Sequence, residues 1–181
     1  FLTASCSGLL FVLSPDMSGY LGIANKGWFF FFYVFSTILV RLTAGKLSDI
    51  IGRREALLIG VSILIISMLL LAWVKDVTGY TIASLVFGIA TGISSPTLFA
   101  WMADLSPNHR RGIGSGTLFI SLEFGILFGS ASTLFLYKDT YASANHVFLF
   151  CAAVAFIALI YLVLHLTFSK TNVLYKRNKE V

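Results

Sequence analysis

The chain has 181 residues, of which 57% are hydrophobic, 15% aromatic and only 12% charged. This composition excludes an ordinary soluble domain, in which about a quarter of the residues carry charge, and it predicts an all-α membrane protein. The net charge of +5 comes from 13 basic and 8 acidic residues. Because the basic residues gather at the ends of apolar segments, they indicate membrane topology, and we expect no nucleic-acid partner.

Six segments are long and apolar enough to cross the lipid bilayer as helices. An α-helix rises 1.5 Å per residue, so ~20 residues cross a hydrocarbon layer ~30 Å thick. Three of the segments contain no Asp, Glu, Lys or Arg, whereas the first, second and fifth contain Asp16, Arg41 and Glu123. The predicted transmembrane helices are 1–22, 27–45, 56–74, 78–102, 112–136 and 146–168.

The distribution of the basic residues predicts the orientation of these helices. Ten of the 13 Lys and Arg residues lie on the side that holds the links after helices two and four and the end of the chain. Basic residues are retained on the cytoplasmic side of a membrane. Residues 45–55, residues 103–111 and the basic tail 169–181 are therefore expected in the cytoplasm. The protein is expected to be integral to the plasma membrane, which in bacteria is the inner membrane.

The sequence contains no pattern that predicts catalysis, a metal site or a cofactor. The Gly-x-Ser-Gly motif of intramembrane serine proteases fails at Ser95, and no nucleotide-binding glycine loop or metal-ligand cluster is present. We therefore expect a protein that is not an enzyme and has no cofactor. Cys6 and Cys151 are expected at different depths in the membrane, too far apart for a disulfide.

The segment GKLSDIIGRRE, residues 45–55, holds five charged residues in eleven positions. It is predicted to be a loop between helices two and three. Its glycines permit a tight turn, and its acid and bases can stabilise helix ends. A cytoplasmic anchor alone would explain the two arginines but not the spacing. That spacing resembles the signature of the major facilitator superfamily, with Ile50 where the family usually has a base, and the matching residues are Gly45, Leu47, Asp49, Gly52, Arg53 and Arg54.

The resemblance extends along nearly the whole chain. The segment ADLSPNHRRGIGSG is similar to the family's link between helices four and five. In this family such charged groups form a cytoplasmic network that holds the carrier in one conformation. The resemblance therefore implies a cytoplasmic gate made of Asp49, Arg53, Arg54, Asp104 and Arg111, with Gly45 and Gly52 in the turn.

The resemblance implies the N-terminal half of a twelve-helix carrier, built from two inverted repeats of three helices. The tail 169–181 would begin the central linker. The C-terminal half is absent from this sequence, and the same chain or a second subunit would supply it. Because the first predicted helix begins at residue 1, we expect the natural N-terminus to lie further upstream.

The function implied is secondary active transport of a small solute by alternating access. Proton-coupled efflux is a further hypothesis, since the predicted lining has few charges. In helix five, Gly116, Gly125 and Gly129 match part of a glycine pattern found in antiporters of the family. Ser130, Thr133 and Leu134 stand where that pattern has a proline and two glycines, which weakens the antiporter hypothesis. The alternatives are another six-helix membrane domain, either part of an ABC-type permease or a non-transporting receptor. The segment 45–55 favours the facilitator.

Helix four carries a stripe of small residues with a period of four: Ser84, Gly88, Gly92 and Pro96. Small residues at this spacing permit close packing of helix backbones. Pro96 also leaves the Gly92 carbonyl without its helical partner, so this group needs another donor. The stripe is therefore either a packing seam or the lining of a cavity.

Glu123 lies about midway along predicted helix five. A carboxylate at that depth costs ~2.5–3.5 kcal/mol on insertion scales, so it should face the protein or a wet cavity and be protonated or paired. It is a candidate proton or substrate site, or alternatively a hydrogen-bonded acid between helices. Arg41 is a partner only in principle, because snorkelling explains a base near a helix end equally well. Asp16 is a second candidate site or an interfacial acid.

Overall fold

The structure, a computed structural model, describes the backbone of residues 1–177 and the side chains of residues 1–165. All of the regular structure in this part of the chain is helical, as predicted. A short 3-10 helix, Asn108–Arg110, precedes the fifth α-helix. The α-helices are α1 (Leu2–Tyr20), α2 (Trp28–Ile51), α3 (Arg53–Ala72), α4 (Val77–Leu105), α5 (Arg111–Leu136) and α6 (Tyr141–Arg177).

The link between α2 and α3 is a single residue, so the prediction of a loop over 45–55 was wrong. Helix α2 continues to Ile51, and α3 begins at Arg53. Gly52 lies between them with a φ of 101°, a backbone conformation that residues other than glycine rarely adopt. One glycine therefore redirects the chain, and no longer loop is needed.

The ends of two other helices differ from their predicted positions. Helix α4 runs to Leu105 rather than to residue 102, and its first turn is capped by Asp76, which accepts a hydrogen bond from the Gly79 amide at 3.1 Å. Helix α6 continues to Arg177, beyond the predicted end at residue 168. The predicted basic tail 169–181 lies outside the residues whose side chains are described.

Helix α1 is the most polar of the predicted spans. Five helical segments of the described chain are long and apolar enough to cross a membrane, and α1 is not among them. It contains four serines and Asp16, and ten of its 19 residues are buried, including Ser14 and Ser18. Since α5 and α6 cover α1, its buried hydroxyls, those of Ser5, Ser14 and Ser18, face protein rather than lipid.

The packing of the helices shows the internal repeat that the resemblance implied. Helix α1 packs on α5 and α6, while α4 packs on α2 and α3, and α3 also contacts α6. If the labels α1, α2 and α3 are swapped with α4, α5 and α6 in that order, the list of helix pairs in contact stays the same. Such an exchange is what two inverted three-helix repeats predict.

Glycines hold the pair α1 and α5 at close range. Gly8 of α1 faces the Ile126 backbone, and Gly129 of α5 faces the Ser5 backbone. The Ser130 hydroxyl donates a hydrogen bond to the Gly8 carbonyl at 3.2 Å. This seam therefore depends on the absence of side chains at both glycines.

The corresponding pair α2 and α4 has the same construction. A Cβ at Gly88 would lie 2.5 Å from the Tyr33 carbonyl oxygen, and one at Gly92 would lie 2.9 Å from Cβ of Val40. The Thr37 hydroxyl donates to the Gly88 carbonyl at 3.2 Å. Both of these close-packed pairs join a helix of one repeat to a helix of the other, and the exchange of repeats converts one pair into the other.

The two cysteines lie together, and the expectation that they are far apart was wrong. The Cys6 thiol donates to the Cys151 carbonyl at 3.4 Å, and both residues are fully buried. Cys151 lies near the middle of the membrane span Tyr141–His165. Cys6 therefore lies deep in the bundle, although it is close to the start of α1, and both cysteines are free thiols.

Candidate functional site

A cavity of about 470 Å³ lies among α1, α2, α4 and α5, with Leu64 of α3 also in its wall. Its polar lining consists of hydroxyl groups and two charged side chains, and its apolar lining includes several aromatic rings. The hydroxyl groups belong to Thr3, Ser7, Tyr33, Thr91, Ser94 and Ser95. The arrangement can hold a small solute, since binding pockets combine an apolar wall with a few polar groups.

Arg41 and Glu123 are the charged residues that line this cavity within the described part of the chain. Arg41 comes from α2, and its Nη2 atom donates to the Ser95 hydroxyl at 3.4 Å. Glu123 comes from α5, on the side away from α1, because Gly125 lies two residues further on and packs against α1. The structure therefore brings the two charges to one cavity.

The glycine stripe of α4 is a packing seam rather than a lining. Gly88 and Gly92 face α2, and the buried Ser84 donates its hydroxyl to the Thr81 carbonyl of its own helix at 2.7 Å. Pro96 is not among the lining residues. The α4 face that does line the cavity carries Ala90, Thr91, Ser94, Ser95, Leu98 and Phe99.

Asp16 lies apart from the cavity lining, near the C-terminal end of α1. Tyr20 and Tyr137 share a hydrogen bond of 3.0 Å between their hydroxyl groups in the same region. Burial raises the pKa of the Tyr137 phenol, and the neighbouring Tyr20 and Asp16 side chains raise it further. The structure therefore separates Asp16 from Glu123, with which the sequence analysis had grouped it.

Arg53 joins the ends of three helices. Its Nε atom donates to Oδ2 of Asp104 at 2.9 Å, and its guanidinium also forms an ion pair with Asp49. A third contact runs from Nη1 to the Ser48 hydroxyl at 2.6 Å. The Arg53 side chain is only 24% exposed, whereas the two carboxylates are more than half exposed. Asp49, Arg53 and Asp104 were expected from the sequence resemblance, whereas Ser48 was not.

The remaining residues of the predicted gate lie outside this cluster. The Arg54 guanidinium stands 5.8 Å from the centre of the Trp101 ring, which is a cation–π arrangement. Arg111 is exposed at the first residue of α5, and it takes part in neither ion pair found among the described side chains. Gly45 is exposed, with open space where a Cβ would stand.

Sequence reasoning missed most of the cavity lining, although α4 offered a signal. Thr91, Ser94, Ser95 and Leu98 follow the spacing i, i+3, i+4, i+7, which places them on one helical face. That face could have been predicted as a polar stripe. The choice between it and the glycine stripe depends on which helix packs against α4.

Curated relatives of this chain are membrane transporters. It is 28% identical over 125 residues to the D-xylose transporter of Levilactobacillus brevis, a match that covers 69% of this chain and 27% of that protein. It is 29% identical over 134 residues to the uncharacterized MFS-type transporter EfpA of Mycobacterium tuberculosis, covering 70% of this chain and 25% of that protein. The chain thus spans about a quarter of the length of these relatives.

A solved structure shares the fold. The inward open conformation of the xylose transporter XylE from E. coli superposes with a TM-score of 0.67 at 20% identity, over 90% of this chain and 46% of that one. The model of the Major Facilitator Superfamily matches residues 1–180. The described part of the chain has six α-helices that form two repeats of three, and the family match covers almost the full length of the chain. This chain belongs to the Major Facilitator Superfamily of membrane transporters.

Proposed function

We propose that the protein is a secondary active transporter that carries a small solute by alternating access between two six-helix halves. The cavity of about 470 Å³ carries this proposal, because it places a guanidinium and a carboxylate within the membrane-spanning bundle. Charged groups at such depth mark solute or proton pathways. The second half would come from the same chain or from another subunit, and it would close the open side of the cavity.

Glu123 is the group we propose for proton coupling. It is exposed in this six-helix bundle and lines the cavity. A carboxyl group in a membrane-spanning helix that lines a cavity can load a proton on one side of the membrane and release it on the other. Exchange with protons would drive efflux, as expected from the sequence, whereas movement together with protons would drive uptake.

Arg53 is the centre of the proposed cytoplasmic gate. Through Asp49 and Asp104 it connects the C-terminal ends of α2 and α4, whose middle parts already pack at glycines. This connection would favour one of the two conformations of the carrier. We place it on the cytoplasmic side of the plasma membrane, because the basic residues gather there.

Glu123→Gln should abolish the response of transport to a pH gradient while leaving membrane insertion intact. The amide keeps the shape of the side chain but cannot carry a proton. The measurement is accumulation in proteoliposomes by the full-length carrier, with and without a pH gradient. The probes are D-xylose as a neutral solute, ethidium as a cation and benzenesulfonate as an anion.

Asp139→Asn is the matched control, since it removes a carboxylate from the exposed link between α5 and α6. Asn also tolerates the φ of 50° found at this position. The control should keep its gradient response. Gradient-driven accumulation that survives in Glu123→Gln would exclude this residue as the coupling site.

A further inference from the structure

The charges of the cavity are one cation and one anion. Arg41 enters from α2 and Glu123 from α5, and no other Lys, Arg, Asp, Glu or His of the described chain lines the cavity. Tyr33 of α2 is the other titratable group in the lining. From α1 and α4 the cavity receives hydroxyl groups, and from α3 it receives Leu64. The balance of charge in the cavity therefore depends on Glu123 alone.

Most of the hydrogen-bond donors of Arg41 have no partner among the described side chains. A guanidinium carries five N–H donors in a planar fork. The one hydrogen bond found for it among the described side chains is the 3.4 Å contact with the Ser95 hydroxyl. A fork of free donors beside a cavity suits an oxyanion such as a carboxylate, sulfonate or phosphate group.

Protonation of Glu123 changes what Arg41 can bind. When Glu123 is ionised, the two charges cancel and the carboxylate repels an incoming anion. When Glu123 is protonated, the cavity carries one net positive charge, and one anionic group restores neutrality. Opposite charges attract, so the proton and the anion favour each other's binding.

We propose that this cavity takes an organic anion of one negative charge, held by Arg41, and that the anion is carried together with one proton held by Glu123. This inference rests on the proposed transport function and names the class of solute. Arg41 opposes the binding of a cation, so the structure favours symport over the exchange expected from the sequence. Phe99 and Phe119, whose ring centres are 5.0 Å apart, provide an apolar wall for the body of the solute.

The test is calorimetric binding of benzenesulfonate to the full-length carrier over a pH range of roughly 4 to 8, which spans the titration of an ordinary glutamate. Benzenesulfonate stays ionised throughout this range, so any dependence on pH belongs to the protein. Binding should strengthen as the pH falls. In Glu123→Gln it should be strong at every pH, because the amide resembles the protonated acid. Neutral benzenesulfonamide should bind without dependence on pH.

Arg41→Gln should weaken binding by roughly tenfold to a hundredfold at low pH, the effect expected for the loss of a charged hydrogen-bond partner. Lys46→Gln is the matched control, because it removes a cation from α2 outside the cavity, and it should bind like the parent. Arg41→Lys keeps the charge and should keep the pH dependence, so it carries the test if the neutral variant does not fold.

Equal binding by Arg41→Gln and the parent would overturn the inference, as would binding that does not vary with pH or no binding at any pH. These outcomes are separable from failure of the proposed function. Transport of D-xylose that is driven by the gradient and depends on Glu123 would support proton coupling but contradict an anionic solute. Binding of the anion that requires Arg41, without gradient-driven transport of any probe, would support the anion site but contradict the transport function.

Discussion

Gly129→Ala should strongly destabilise the helical bundle, because a methyl group at this position would collide with the backbone of α1. The nearest atoms include the Ser5 carbonyl carbon at 2.7 Å and its Cα at 2.8 Å. Backbone atoms cannot move aside as the end of a side chain can, so α1 and α5 would have to separate. Overpacking costs ~1–3 kcal/mol in soluble cores, and we expect a loss at the upper end of that range. Thermal unfolding in detergent, followed by size-exclusion chromatography, measures it.

Gly116→Ala is the control within the same helix. A Cβ at Gly116 would meet nothing within 4 Å, and alanine forms helix better than glycine by ~1 kcal/mol in soluble peptides. This variant should be as stable as the parent or more so. Equal melting temperatures for the two variants would mean that the α1–α5 seam does not hold the bundle together.

Arg53→Gln should lower the stability of the bundle at the joined ends of α2, α3 and α4. The substitution removes the cation that Asp49 and Asp104 share and leaves two carboxylates close together. Because both carboxylates are more than half exposed, water screens the pairs. We therefore expect a small but measurable coupling between Arg53 and Asp104 in a double-mutant cycle. Thermal unfolding of the four variants gives this coupling.

Arg54→Gln tests whether the coupling to Asp104 is specific to Arg53 or is shared by both arginines at the start of α3. Arg54 lies over the Trp101 ring and belongs to neither described carboxylate pair. Its loss should cost ~0.5–1 kcal/mol, the range for exposed cation–π contacts. It should show no coupling to Asp104. A coupling as large as that of Arg53 would contradict the central position that we give to Arg53.

The helices could be predicted from sequence because each depends on local composition. Charge-free runs of about 20 residues are rare outside membranes, and clustered bases indicate sidedness. The break at Gly52 could not be located so closely, because a glycine next to charges is equally consistent with a loop of several residues. The φ of 101° at Gly52 shows that this one residue makes the turn.

The site was harder to predict, because it depends on which faces of neighbouring helices meet. Arg53 and its two carboxylate partners were named through a sequence resemblance. Arg41 has the same sequence context whether it snorkels to the interface or turns into a cavity, and only the placement of α4 and α5 distinguishes these arrangements. The contact between Cys6 and Cys151 was missed for a similar reason, since relative helix depth is not encoded locally.

The polarity of α1 has a consequence for how the protein is made. Helix α1 is not among the segments apolar enough to cross a membrane alone, and it is covered by α5 and α6. Helices α5 and α6 are synthesised after α2, α3 and α4, so α1 waits for its partners. Helix α4, in contrast, is synthesised after its partners α2 and α3. Helix α1 must therefore be sheltered by the insertion machinery, or tolerated in lipid at a cost, until α5 and α6 emerge. Assembly of this six-helix bundle is complete only when α5 and α6 cover α1.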